Sequence, residues 1–262
     1  MNASIQATLR FFGQQLINPI SEVGRYSLFT GDALRKIFFP PMQRKLAFTQ
    51  LDFVGNKSIG IIIMAAIMIG AVFGLQFGSI FRIFGAESMI GAAAGIGLAK
   101  ELSPVVTSFL VAGRAGSSMA AEIATMRVNE QIDALRIMAV NPVSYLVAPR
   151  VLATMIMLPL LTCIFTIWGV FSAFVVGVLL FNVDPGVFFE KIQEFAKLEY
   201  LVEGLQKAAL FGVILASVSC FKGFHAKGGA KGVGQAVTSA VVISLVTILI
   251  TDFFVSYIRY NF

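Results

Sequence analysis

The chain has 262 residues, of which 57% are hydrophobic and only 13% charged, and its mean hydropathy is +0.85. A soluble domain carries about 25% charged residues, so the composition excludes one and specifies an integral membrane protein. The net charge of +6 is therefore read through where each Lys and Arg lies relative to the spans, and not as a sign of nucleic acid.

Residues 1 to 50 are amphipathic. Leu9, Phe12, Leu16, Ile20 and Val23 repeat at helical spacing, with Gln14, Gln15, Asn18, Ser21, Glu22 and Arg25 between them. That pattern predicts a helix lying in the membrane interface, bent at Pro19. A soluble subdomain packed on the membrane part is the alternative. The N-terminus lacks a basic start followed directly by an apolar core, so no cleavable signal is expected. Arg35, Lys36, Arg44 and Lys45, interleaved with Phe38, Phe39 and Pro40-Pro41, make a basic, aromatic approach to the first span that suits an anionic leaflet.

Span 1 is predicted from about residue 59 to 84, long enough for a hydrocarbon core that needs about 20 residues. Span 2 runs from about 88 to 125, which exceeds one crossing and implies a protrusion or a break. Gly91 and Gly95 open it with a GxxxG spacing, and Gly113, Ser117 and Ala121 recur at four-residue intervals, so another helix can approach that face closely. Lys100, Glu101, Arg114 and Glu122 lie on the same stretch. Charges inside a membrane segment face a protein interior or a water-filled cavity.

A short polar helix follows over residues 129 to 139, with Asn129 as N-cap, Glu130 and Asp133 in the first turn and Arg136 nearer the end, the order a helix dipole favours. Asn141-Pro142 stops it. Ile132, Leu135 and Met138 or Ala139 share one side, which fits either a knob for a socket on another protein or an ordinary amphipathic connector. Span 3 covers about 151 to 181. Asp184-Pro185 then reads as an N-cap and first-turn proline opening a short helix with Phe188, Ile192 and Phe195 on one side, at the surface opposite the Glu130 helix.

Span 4 covers about 201 to 221 and span 5 about 235 to 257. The Gly/Lys-rich loop 222–234 between them lacks Walker spacing, so GGAKG is not a phosphate loop. Its His225 reads as a solvated loop residue. Cys163 and Cys220 lie in apolar segments without metal-ligand spacing and read as small buried hydrophobes, so no metal site is expected.

Assigning basic residues to sides sets the orientation. Seven in the N-terminal region, Arg127, Arg136 and Arg150 after span 2, and Lys222, Lys227 and Lys231 after span 4 share one face. Arg82, Lys191, Lys197, Lys207 and Arg259 take the other. The positive-inside rule makes the N-terminus and the Glu130 helix cytoplasmic and the C-terminus external. The sum is an all-α integral membrane protein: an N-terminal interfacial region over residues 1–50 and a five-span domain over 51–262.

Four segments carry a specific resemblance: Lys-Glu-Leu-Ser-Pro (100–104), Val-Ala-Gly-Arg-Ala-Gly (111–116), Ala-Glu-Ile-Ala-Thr-Met-Arg-Val-Asn-Glu-Gln-Ile-Asp-Ala-Leu (121–135) and Val-Asn-Pro-Val-Ser-Tyr-Leu-Val-Ala-Pro-Arg (140–150). Together they resemble the signature of the MlaE/YrbE permeases, the membrane subunits of MCE-type ABC lipid transporters, with similar spacing and hydropathy from about residue 50 onward. The resemblance implies a homodimeric permease of the bacterial inner membrane, a multi-pass chain that moves phospholipid to or from a periplasmic MCE-domain protein. It makes the 129–139 segment a cytoplasmic coupling helix, with Glu130, Gln131, Ile132, Asp133, Ala134 and Leu135 docking on an ABC ATPase, and makes the Phe188 helix periplasmic. The chain has no Walker motif, so it is no enzyme and needs no cofactor of its own. ATP belongs to the partner subunit.

The resemblance also implies a lipid site between two subunits, with acyl chains along Phe73, Gln76, Ile80, Phe81 and Phe84 and the head region near Lys100, Glu101 and Leu102. An apolar wall suits acyl chains, and a phosphate tolerates a nearby cation. Core packing explains Gln76 and the aromatics equally well. Lys100 and Glu101 have the alternative of pairing with each other or across the dimer as a structural lock. Lysine at position 100 acts as a point charge, which weakens the case for a bidentate phosphate grip there. Gly113, Arg114, Ser117, Ala121 and Glu122 are assigned to helix packing. Two other classes stay open. A lipid-modifying membrane enzyme would use Glu101, Glu122, Glu130 or Asp133, though no paired-carboxylate spacing appears. An ion-coupled secondary transporter would use Glu101, though no inverted repeat is visible.

Overall fold

The computed structural model describes residues 21–37 and 44–261, and every regular element among them is helical. The predicted interfacial positions Leu9, Phe12, Leu16 and Ile20 lie outside the described residues. Residues 21–37, which include Val23, form helix α1. Then follow α2 (Arg44–Val54), α3 (Asn56–Ile83), α4 (Ile90–Gly97), α5 (Ser103–Val111), α6 (Ser117–Val128), α7 (Gln131–Ile137), α8 (Ala148–Phe181), α9 (Pro185–Phe195), α10 (Leu198–Phe224) and α11 (Gly229–Asn261).

Five segments are long and apolar enough to cross a bilayer, as the sequence predicted: Lys45–Ile83, Glu87–Val128, Val143–Phe181, Leu198–Phe224 and Gly229–Asn261. Each outruns its predicted span, because the helices continue through polar residues after hydropathy has fallen. The first segment joins α2 to α3 through a single turn residue, Gly55, so α2 passes through residue 50 without a break.

Span 2 does not break. It stays helical over 42 residues by widening twice, into π-turns at Leu98–Leu102 and Ala112–Gly116. A π-turn admits an extra residue into the helix and recurs at functional positions. Lys100, Glu101 and Arg114 all fall in these two turns.

Small residues set the packing. On α3 the buried face is Ser58, Ile62, Ala66, Gly70, Gly74 and Gly78, and it lies against α8. A Cβ at Gly70 would stand 2.2 Å from the Gly169 carbonyl oxygen, so only glycine allows these two backbones to touch. The Gly91 and Gly95 pair serves α9 in the same way, Gly91 against the Phe188 carbonyl and Gly95 against Ala196. The most extensive buried cluster, which includes Phe165, Phe211, Leu215 and Met119, runs through the bundle.

The ends follow from local chemistry. Asp184 caps α9 as predicted, its carboxylate accepting from the amides of Gly186 at 2.8 Å and Val187 at 3.2 Å, and Phe188 is buried. The polar helix starts later than predicted. Because α6 continues to Val128, Asn129 becomes its C-cap, and the reversal is made by Glu130 at φ 58°, the N-cap of α7. At the other end Ala139 is also left-handed, at φ 57°. Each such residue costs about 1–2 kcal/mol, so α7 is held by its neighbours. Helices α7 and α9 lie at opposite ends of the bundle, α7 between spans 2 and 3 and α9 between spans 3 and 4.

Candidate functional site

Near the α9 end, three spans bring six charged side chains together. Lys100 and Glu101 come from the first π-turn of span 2, Glu203 and Lys207 from α10, and Asp252 and Arg259 from α11. Lys207 is the centre, with only 2% of its side chain exposed. It donates to the Glu101 carboxylate and, at 2.7 Å, to Ser256 Oγ, and its ammonium lies 3.0 Å from Asp252 Oδ1. The Ser256 hydroxyl turns back to Glu101 at 3.3 Å.

Lys100 pairs with Glu203 at 3.3 Å and stands 5.3 Å over the Tyr200 ring. Arg259 approaches the same glutamate at 3.8 Å and donates to Gln206. Glu203 Oε2 and Asp252 Oδ1 are buried oxygens that meet their cations at ion-pair distance without a directed hydrogen bond. Three cations face three carboxylates, which is how buried charge is tolerated in an apolar surround. Carboxylate oxygens with unused lone pairs can take another donor, and Lys100, with 29% of its side chain exposed, can take an anion.

Lys100 and Glu101 thus turn toward α10 and α11, and each pairs there rather than with the other. Of the span 1 positions, Phe73 joins a cluster with Leu98 and Leu102 of the π-turn, Ala94 and Ala173. Phe73 stacks on Phe77 with centroids 4.3 Å apart. Phe81 packs instead with the Ile90 and Phe188 cluster. Gln76, Ile80 and Phe84 are exposed on the outside of α3. The structure therefore brings Phe73, Lys100, Glu101 and Leu102 to one region, and leaves Gln76, Ile80 and Phe84 facing away from the chain. Beside that region an apolar groove of about 430 Å³ runs along α8, lined by Val170, Phe171, Phe174, Phe189 and Leu201 among others.

At the opposite end, Asp133 fastens α7. It accepts two bonds from Arg127, at 2.8 and 2.7 Å, and one from Arg136 at 3.0 Å. Ile132 is fully buried and Leu135 packs partly against the core. Glu130, Gln131 and Ala134 are exposed. The protruding apolar tip lies further on, at Ile137 (87% exposed) and Met138 (63%). Sequence periodicity grouped Met138 with Ile132 and Leu135 on one side, and the early end of α7 at Ile137 separates it from them.

The charged residues assigned to packing each have a task. The Arg114 guanidinium donates to the Phe53 carbonyl at 2.6 Å and Ser58 Oγ at 3.0 Å and stacks 4.6 Å over the Phe53 ring, so it pins the α2–α3 junction to span 2. Glu122 pairs with Arg150 at 2.8 Å. Gly113 has nothing within 4 Å of the position a Cβ would take. The face that α10 and α11 cover is the neighbouring one, with Ala112, Ala115, Gly116, Met119 and Ala120, so among the described residues nothing closes over Gly113.

Sequence reasoning missed Glu203, Lys207, Asp252, Ser256 and Arg259. It counted Lys207 with the surface residues of the outer face, whereas burial places it inside the bundle. Asp252, alone among apolar residues of span 5, was the available signal, because an isolated intramembrane acid calls for a cationic partner.

A sequence profile of the family described as Permease MlaE matches residues 47–258. The chain is 39% identical to a protein of Rickettsia typhi described as a probable ABC transporter permease, over 93% of this chain and 94% of that one. A Synechocystis protein of the same description is 39% identical over 88% of each chain. The Arabidopsis thaliana chloroplast protein called TRIGALACTOSYLDIACYLGLYCEROL 1 is 35% identical over 87% of this chain and 65% of its own length.

Proposed function

Because the chain belongs to the MlaE permease family, we propose that this multi-pass permease subunit moves phospholipids or related lipids between the bacterial inner membrane and a periplasmic MCE-domain protein. The energy comes from ATP hydrolysed by a separate ABC ATPase. The observation that carries the reading is the balanced charge cluster at the end of an otherwise apolar bundle, within reach of Phe73 and Leu102. A lipid headgroup needs ionic partners while its chains need an apolar wall, and both occur together here. The Arabidopsis relative supports a lipid cargo by its printed name, which contains a diacylglycerol glycolipid.

In this reading Lys100 and Glu101 meet the head region, Phe73 and Leu102 the upper part of the chains, and Gln76, Ile80, Phe81 and Phe84 the space between two copies of the subunit. The open Gly113, Ser117 and Ala121 edge supports a second copy, since small residues let helices approach. The N-terminus and α7 are cytoplasmic, the C-terminus and α9 periplasmic, and α7 docks on the ATPase through Glu130, Gln131, Ala134 and the exposed tip.

The test is reconstitution of the chain with its ATPase and MCE partner in vesicles, following transfer of labelled phospholipid. ATP-dependent transfer that falls on Glu101→Ala supports the proposal, and transfer indifferent to ATP overturns it. The intramembrane Glu101, Asp252 and Lys207 favour one second reading, an ion-coupled secondary transporter. Transport driven by an ion gradient with the ATPase absent would establish that instead.

A further inference from the structure

A second groove lies at the α7 end, on the far side of the bundle from the charge cluster. It has a volume of about 390 Å³ and is bounded by α1, α10 and α11. Val23, Val218, Phe221 and Ile243 form its walls, with Tyr26 and Thr247 also lining it. The Tyr26 hydroxyl is already bonded to Ser217 at 2.7 Å, so that wall presents its ring. Phe221 holds α1 in place, meeting Tyr26 and Phe29 edge to face with centroids 5.6 Å apart. The groove is thus a built feature of the α1 contact.

Its mouth is charged. Lys222 Nζ stands 2.6 Å from Glu22 Oε1 and 5.9 Å over the Phe221 ring. Arg25, exposed on α1, acts on Glu22 together with Lys222, so two cations stand against the one carboxylate that lines the groove. Val218 lies one helical turn from Lys222 toward the middle of the span, and Ile243 and Thr247 lie one turn apart on α11. A cation beside an apolar slot that runs along a membrane-spanning helix has the amphipathic order of a phospholipid: head at the charge, chain along the apolar wall.

We infer that this groove holds one acyl chain of an anionic phospholipid from the leaflet that carries α1, with the lipid phosphate taking Lys222 in competition with Glu22. The bound lipid then ties α1 to α10 and α11, at a site separate from the Lys100 and Glu101 cluster. The occupant is a lipid because the α11 wall belongs to a span whose neighbouring Val242 and Val246 are exposed apolar residues, and anionic because Lys222 and Arg25 outnumber Glu22 and the lysine is the group at the lip.

Photolabelling tests this on the full chain in nanodiscs, using phosphatidylglycerol or phosphatidylcholine with a diazirine in one acyl chain and mapping the labelled peptides. Phosphatidylglycerol is expected to label around Val218, Ile243 and Thr247. Lys222→Gln should lower that labelling about tenfold, the worth of roughly one charge-assisted hydrogen bond. Val218→Trp, which fills the slot, should abolish labelling there by both lipids while leaving labelling at the exposed Phe253 unchanged, and that unchanged signal also reports an intact fold. Equal labelling by the two lipids, unaffected by Lys222→Gln, overturns the anionic site. Persistence after Val218→Trp, or crosslinks at Ile243 to residues 1–20 or to a second copy in place of lipid, overturns the acyl-chain occupant.

Discussion

Gly204 lies so close to the Ala99 carbonyl that a Cβ would stand 2.0 Å from its oxygen. This contact brings α10 against the π-turn of span 2 and sets Glu203 and Lys207 opposite Lys100 and Glu101. Backbone cannot yield as a flexible side chain does, so Gly204→Ala must push the two helices apart. The expected cost is about 1–3 kcal/mol, as for other overpacking changes, together with loss of lipid transfer. Thermal unfolding in detergent and the transfer assay, run on the same preparation, check both.

Lys207 holds two carboxylates at once, so removing it strands both. Lys207→Met should destabilise the protein by about 3 kcal/mol or more, the usual result of breaking a buried pair from one side. The triple variant with Glu101→Gln and Asp252→Asn should recover most of the stability and none of the transport. Recovery of both would show that the charges are structural only.

The α7 tip and its buried side separate by consequence. Ile132→Ala opens a cavity and should cost about 2–5 kcal/mol. Ile137→Asp lies on the surface and should leave stability within about 0.5 kcal/mol while reducing recovery of the ATPase on the purified permease. Equal recovery with Ile137→Asp would place the docking contact elsewhere.

Glu22 sits outside the spans, and its hydrogen bond to Lys222 holds its carboxyl below the ordinary value, with the charge of that lysine and then of Arg25 acting the same way. A depressed carboxylate contributes stability above its ordinary range and loses it as the pH falls through the folded value. Protection of the α1 amides from hydrogen exchange should therefore hold at neutral pH and decline in acid, and decline also with salt, since Glu22 is half exposed. Glu22→Gln should remove that acid dependence.

The spans were readable because an uninterrupted apolar run admits one interpretation in lipid. The cap at Asp184 was readable too, because a carboxylate before proline satisfies the first free amides. Of the charge cluster only Lys100 and Glu101 were readable, since the other members come from two further segments, where each alone looks like a stray or interfacial charge. Lys207 in particular lies only six residues into the predicted span 4, where a snorkelling lysine and a buried one share the same hydropathy. The Gly113, Ser117 and Ala121 pattern marks a slender edge, but spacing cannot say which neighbour occupies a groove. The π-turns shift the helical phase, so the edge chosen by regular periodicity is rotated from the one that α10 and α11 cover.

Lys100, Lys207 and Arg259 together carry as much formal positive charge as Glu101, Glu203 and Asp252 carry negative. A transmembrane potential does work of about 2.3 kcal/mol per elementary charge per 100 mV, and on this sextet as a unit those contributions cancel. Any translation that carries all six along the field as one body is therefore electrically silent, and Arg114, held in span 2 by a carbonyl and a hydroxyl, is left as a charge there that such cancellation does not cover.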